Sequence, residues 1–385
     1  MTRVYVTALA RTPFGKFRGC LSSLDAIQLG TRLIDGLLER DEYPELLPES
    51  VQGGSGLLGG SHLTTLRQSI IHSRLPNATP SQGVDRACCS GMSAISNAAT
   101  WLKAGSARKA LAIGVESLSN TPVLLQRGND RRISSLSLFD PLLLSGRVSD
   151  KTIAQYTSEE ALKYGISRPE QDLWALRSHE RYFAGKQAGF FENQIYALEV
   201  GDRLISDDEG PRENSTSARL AQLPTINGST TITAGNAPGL SDGAAGIILS
   251  DTSIGESAEI LDWVQLAGDL QSGTSIPAAG IIQVLRRNQL TLDDVEVIEI
   301  NEAFAATPLV STLILADESG TNLEMLRERT NIFGGSVAIG HPLGASGVRI
   351  AIQAIERLRA RGGGTAVCAI CGGFGQGEAI LLQLA

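Results

Sequence analysis

Short apolar runs alternate along this chain with segments whose apolar positions recur every three to four residues. Residues 110–115, 295–300 and 365–370 read as strands, and residues 91–102 and 347–358 as helices. In the second helix Val348, Ile350, Ala351, Ile355 and Leu358 fall on one stripe. Strands apolar throughout, separated by helices, predict an α/β fold whose strands are covered on both faces. The pattern occurs twice. Residues 88–115 run Cys, small-residue turn, helix, basic loop (Lys103, Arg108, Lys109), apolar strand; residues 341–370 run His, glycine-rich turn, helix, basic loop (Arg357, Arg359, Arg361), apolar strand. This predicts a duplicated unit. Between the copies, residues 116–232 hold most of the polar, loop-like sequence (126–132, 206–217) and one amphipathic helix, Arg168–Gln187, with Pro169 suited to its first turn and Asp172 nearby. The predicted division is a first α/β half from 1–115 plus 233–260, an inserted cover from 116–232, and a second half from 261–385.

Composition narrows the class. The 385 residues are 42% hydrophobic and 19% charged, as in a soluble globular protein, and long enough for two or three domain-sized units. The net charge is −8 with no basic block, which argues against nucleic acid or an anionic membrane as partner. No apolar run reaches the roughly 18 residues of a membrane span, and the start reads as strand 3–6 and turn 11–13, not as a signal peptide. Five cysteines (Cys20, Cys88, Cys89, Cys368, Cys371), two of them adjacent, do not suggest a disulfide framework. A reducing, cytoplasmic setting is expected. Cys368 and Cys371 lack the second ligand pair of a zinc site, so no metal is expected.

Four segments carry candidate chemistry. In Val84-Asp-Arg-Ala-Cys88-Cys89-Ser-Gly-Met92 a cysteine stands where a strand gives way to a helix, whose N-terminus favours thiolate; the bland alternative is a pair of small core residues. In Gly334-Gly-Ser-Val-Ala-Ile-Gly340-His341-Pro-Leu-Gly344 a histidine sits among turn formers that trade entropy for geometry. His179 falls on the amphipathic helix as a surface or packing residue, and His62 and His72 lie in unremarkable surroundings. Cys371-Gly-Gly-Phe-Gly375 follows a strand, as a tight turn, a phosphate cradle or a proton-exchanging thiol. Asn301-Glu-Ala-Phe304 also follows a strand, where open α/β sheets place their sites, or else it caps a helix.

Taken together, and in this order, these segments resemble the thiolase family. Arg11-Thr-Pro-Phe-Gly-Lys16, Gly114-Val-Glu-Ser-Leu-Ser119 and Thr233-Ala-Gly-Asn-Ala-Pro-Gly-Leu-Ser-Asp-Gly243 extend the likeness nearly end to end. The resemblance implies duplicated αβαβα layered halves with an inserted loop domain, assembled as a homodimer or homotetramer. It implies an acyltransferase that cleaves 3-ketoacyl-CoA with CoA, or condenses acyl-CoA with acetyl-CoA, without a cofactor other than coenzyme A as substrate. By its motifs Cys88 is the nucleophile, His341 its activator, Cys371 the acid–base thiol and Asn301 the holder of a water. The backbone N–H groups of Cys88 and Gly373 would form one oxyanion hole, and His341 with the Asn301 water the other. Ser241, Phe304 and Pro238 would contact substrate, and Arg212 and Lys186 are candidates for the CoA phosphates. Two rival readings are a decarboxylating ketoacyl synthase, which lacks a second catalytic cysteine, and a non-catalytic acyl-CoA or lipid-binding relative. The chain departs from the family at Phe374, where glycine is usual, at Pro238, where serine is usual, and at Ala154-Gln155, Ser275-Ile276 and Thr307-Pro308. These departures bear on the acyl pocket more than on the reaction.

Overall fold

A computed structural model describes residues 2–57, 63–126, 137–143 and 148–385. His62 and much of the polar stretch 126–132 lie outside the described residues.

Nine strands form the path of one large sheet: β1 (Tyr5–Arg11), β2 (Ser50–Gly54), β3 (Ser81–Val84), β4 (Lys109–Ser117), β5 (Ser241–Ser250), β6 (Ala258–Ala267), β7 (Val297–Ile300), β8 (Gly364–Gly372) and β9 (Gln376–Leu384). Their spatial order is β7-β8-β9-β6-β1-β5-β4-β2-β3, and the two-residue strand Gly15–Lys16 pairs with β5 off this path. Within the sheet the two halves are joined by two paired residues, Tyr5 with Glu259 and Val6 with Ala258. On each side of that seam the topology is the same. In the first half β3, β2 and β4 are parallel and β5 and β1 antiparallel. In the second, Thr330 bridges β7 in parallel, β7 and β8 are parallel, and β9 and β6 antiparallel. The duplication read from the sequence is therefore a duplicated five-position sheet, with the fifth position reduced to a bridge in the second copy. Ala258–Ile260, which the sequence reading puts with the first half, open the edge strand of the second.

The αβαβα layering is built by both halves together. Helix α1 (Ala26–Arg40) covers the outer face of the first sheet region, and α2 (Ser90–Lys103) and α7 (Leu343–Arg361) fill the middle layer. Helix α5 (Ile276–Arg287), with α6 (Ala306–Ser319) against it, covers the far face. The middle layer is dense because glycines let the backbones touch. A Cβ on Gly91 or Gly114 would fall on the carbonyl oxygen of Gly344, and one on Gly347 would stand 2.6 Å from Met92 N. Nearly all of α7 is buried. Its polar residues are paired: Arg357 with Glu299 at 2.6 Å, Gln353 with Glu299 at 2.9 Å, and Arg349 with Gln353 at 3.0 Å, as burial requires.

The cover departs from β4 and returns at β5. Its main helices are α3 (Ile153–Lys163) and α4 (Arg168–Gln187). The bounds of α4 are those read from the sequence. Its N-terminus is a Ser167–Glu170 capping box with Pro in the first turn, while Asp172 instead pairs with Arg168 and accepts from Asn236. The cover is tied down by Arg11 at the end of β1, whose guanidinium makes a bidentate pair with Asp208 at 2.6 and 2.8 Å, both side chains fully buried.

Candidate active site

The turn from β3 to α2 puts Cys88 in place by local hydrogen bonds. Ala87 adopts φ +50°, a left-handed conformation unfavourable for a residue with a Cβ. It is held there by Ser90, whose Oγ accepts from Arg86 N (2.8 Å) and donates to Ala87 O (2.6 Å). Arg86 then reaches across the seam to Glu378 on β9 at 2.6 Å. Arg86 and Ser90 both lie within the nucleophile segment, but their parts in holding the turn were not read from the sequence.

His341 lies two residues before α7, as Cys88 lies two before α2. Its Nε2 is 3.1 Å from Cys88 Sγ. Its Nδ1 is 2.6 Å from Ser346 Oγ, which is itself 3.1 Å from Pro342 O. With the serine hydrogen directed to Pro342 O, Nδ1–H donates to Ser346 and the Nε2 lone pair faces the thiol. The backbone N–H of His341 donates to Ser241 Oγ at 3.2 Å, and that hydroxyl donates to Gly239 O at 2.8 Å. The glycine-rich setting is functional in shape: Gly340 has φ +113°, and a Cβ there would meet Ser241.

Burial controls the charge states. It pushes the Cys88 thiol far up, helped by neighbouring Cys371 and Glu116, and pulls His341 down to about 3, helped by the Arg349 charge. Both shifts favour the neutral forms of the pair, against the thiolate bias that the helix terminus supplies. Burial likewise pushes the Cys371 thiol up to about 12. Cys89 is fully buried and its thiol is 3.6 Å from Ile370 O, so it fits the bland reading as a core residue.

One cavity of about 340 Å³ is lined by Cys88, His341, Cys371, Gly373, Phe304 and Pro238 together. Two other predicted residues stand behind its wall. Ser241 accepts from the His341 backbone and lines a second cavity with Lys16 and Arg212, which shares Ala237, Gly239 and Leu240 with the first. Asn301 is fully buried and is not a helix cap, since α6 begins only at Ala306. Its Oδ1 accepts from Ser336 Oγ at 2.7 Å, with Arg349 Nη2 3.5 Å away, while Nδ2 has no partner among the described residues. The neighbouring Glu302 accepts from Trp174, Ser178, Asn331 and the Val337 backbone, fixing this segment. Lys186 pairs with Asp207 at 2.8 Å, and neither it nor Arg212 lines the catalytic cavity.

Two thiols and a histidine from opposite halves converging on one cavity set the frame for comparison with known proteins. The thiolase N-terminal domain model matches residues 4–253 and the thiolase C-terminal domain model residues 255–384. The chain belongs to the thiolase family. It is 32% identical to the β-ketoadipyl-CoA thiolase of Pseudomonas aeruginosa, covering 99% of this chain and 98% of that one. It is 34% identical to the probable acetyl-CoA acetyltransferase of Mycobacterium tuberculosis over the full length of both. Its fold matches human mitochondrial 3-ketoacyl-CoA thiolase in complex with CoA at TM-score 0.90, 30% identity, and 100% and 98% coverage. It also matches the acetyl-CoA acetyltransferase of Syntrophomonas wolfei at TM-score 0.92, 28% identity, and 100% and 99% coverage. The chain is thus a member of an acyl-CoA acyltransferase family with that family's two-domain fold. Among the described residues, no helix is long and apolar enough to cross a membrane.

Proposed function

We propose that this thiolase carries an acyl group on Cys88 and exchanges it between coenzyme A and the acetyl carbon of acetyl-CoA, with 3-ketoacyl-CoA as the joined substrate. The observation that carries the reading is the 3.1 Å contact of His341 Nε2 with Cys88 Sγ inside a cavity that Cys371 also lines. In the cleavage direction His341 takes the Cys88 proton as sulfur attacks the ketone carbon. The bond between that carbon and the acetyl carbon breaks, and the enolate of acetyl-CoA takes its proton from the Cys371 thiol. Free CoA then gives its thiol proton to Cys371 and attacks the acyl-enzyme. Cys88 leaves as thiolate and recovers its proton from His341, so every proton is returned.

Burial raises both thiols, and the contact with His341 is what sets Cys88 apart as the nucleophile. Cys371, raised without a histidine partner, is suited to give a proton to an enolate. Asn301 supports a water-mediated donor, because its buried Nδ2 otherwise lacks a partner. The Cys88 and Gly373 N–H groups are assigned to the second oxyanion. The reading is tested by quenching the enzyme with acetoacetyl-CoA in the absence of free CoA and mapping the adduct by mass spectrometry. Acetyl on Cys88 is the expected result; label confined to Cys89 or Cys371 contradicts the assignment.

A further inference from the structure

Three large apolar side chains at the catalytic cavity stand uncovered. Leu143 is 64% exposed, Leu270 40% and Phe374 40%, and all three line the cavity that holds Cys88 and Cys371. They come from separate segments: the short 3-10 turn Pro141–Leu143 of the cover, the loop from β6 to α5, and the turn from β8 to β9. A single exposed leucine is ordinary, but converging apolar residues at the rim of a site mark a surface that a ligand covers.

Phe374 carries the argument furthest. It has φ +63° and Gly375 has φ +75°, in a three-residue hairpin turn whose strands pair up to Gly372 and Gln376. Such positions favour glycine or asparagine, because a side chain crowds the left-handed backbone. None of the ring–ring contacts among the described residues includes Phe374, and 40% of the residue stays exposed. A strained residue that keeps a large apolar group at the mouth of a site points to that group's use in binding.

We infer that Leu143, Leu270 and Phe374 form the acyl-chain site, that Phe374 is the specificity-determining residue, and that the substrate is a 3-ketoacyl thioester with an apolar tail long enough to cover them. This rests on the thiolase reading above and narrows it. Each methylene moved from water onto such a surface strengthens binding about fourfold. A carboxylate at the end of the tail would be desolvated there, and the described lining residues include no Lys or Arg to pair with it.

The experiment is thiolysis of 3-ketoacyl-CoAs with four and eight acyl carbons, and of a chain-length-matched substrate ending in a carboxylate. It compares the native enzyme with Phe374→Gly and Phe374→Asn, both residues that suit the turn. The native enzyme should prefer the eight-carbon substrate in kcat/KM, and the carboxylate-ended one should fall below its apolar counterpart. Both variants should lose at least tenfold more on eight carbons than on four. An unchanged ratio, improved use of the long chain by the variants, or preference for the carboxylate overturns the inference. Binding separates this from the parent reading. In Cys88→Ala, octanoyl-CoA should bind more tightly than acetyl-CoA by calorimetry, and Cys88→Ala/Phe374→Gly should lose most of that difference. Absence of turnover by the native enzyme on every substrate rejects the thiolase reading, while equal binding of the two thioesters rejects the acyl-chain site.

Discussion

The two halves solve the same topological step in opposite ways. In the first, β4 hands the chain to its antiparallel neighbour β5 through residues 118–240; in the second, β8 hands it to β9 through residues 373–375. The long route builds a roof, because Leu142, Leu143, Thr152, Ile153, Tyr156, Ile226 and Asn227 of the cover line the cavity. The short one turns sharply and brings Cys371, Gly373 and Phe374 into the wall. At another equivalent position, two residues before a middle-layer helix, the first half has Cys88 and the second His341. Duplication supplies one geometry twice. The chemistry comes from what differs at matched positions.

That comparison is most vulnerable at the matched pair. His341→Ala should lower kcat roughly 10²–10⁴-fold, the usual worth of a positioned acid–base group. Circular dichroism should be unchanged and Cys88 should react more slowly with iodoacetamide at neutral pH. Native thiol reactivity in that variant would remove the histidine from its role.

A smaller effect is expected where the roof is fastened. Asp208→Ala leaves the fully buried Arg11 charge without its bidentate partner, which typically costs about 3–5 kcal/mol. Tm should fall, and strands β8 and β9, which flank the turn at 373–375, should keep their hydrogen-exchange protection longer than the cover does. Equal loss in both regions would mean that the cover is no separable addition to the core.

The smallest effect is a pH dependence at Glu116, near the end of β4. Its carboxylate accepts from Gly56 N at 2.7 Å and from Gly344 N at 3.1 Å, at the start of α7. Burial outweighs those bonds and pushes its carboxyl up to about 7 from 4.5. The folded state therefore holds this proton more tightly than the unfolded state. Stability from this group is present below about pH 4.5 and is lost as pH rises through about 7, by about 3 kcal/mol. Glu116→Gln should lack that decline in Tm between pH 5 and 8, and parallel curves for the two proteins would show that the group does not titrate there.

Much of this was legible in the sequence for identifiable reasons. The strands at 110–115 and 365–370 are buried on both sides, so their apolar runs are unbroken, and the middle-layer helices keep an apolar stripe. Helix α4 announces its start through Pro169. Cys88, His341 and Cys371 sit in short motifs dominated by small residues, which stand out in any chain. What stayed hidden depends on contacts between distant segments. Ser241 reads as a substrate contact because it lies beside the Pro238 motif; only the folded chain places it under the His341 backbone. Helix-terminus reasoning favours a Cys88 thiolate, but burial in the folded chain pushes the thiol the other way, and its contact with His341 spans some 250 positions. Asn301 reads equally well as a cap or a site residue until Ser336 and Arg349 are seen to hold its oxygen.

The central claim is that two thiols, one from each half, divide the work. Cys371→Ala should still form the Cys88 acyl-enzyme but fail to exchange solvent deuterium into the methyl group of acetyl-CoA. Both quantities are measured on the same sample, the acyl-enzyme by mass spectrometry and the exchange by NMR. Acylation near the native extent with exchange reduced at least 10²-fold is the predicted result. Exchange at the native rate in that variant would contradict the account, because another group would then be moving the proton assigned to Cys371.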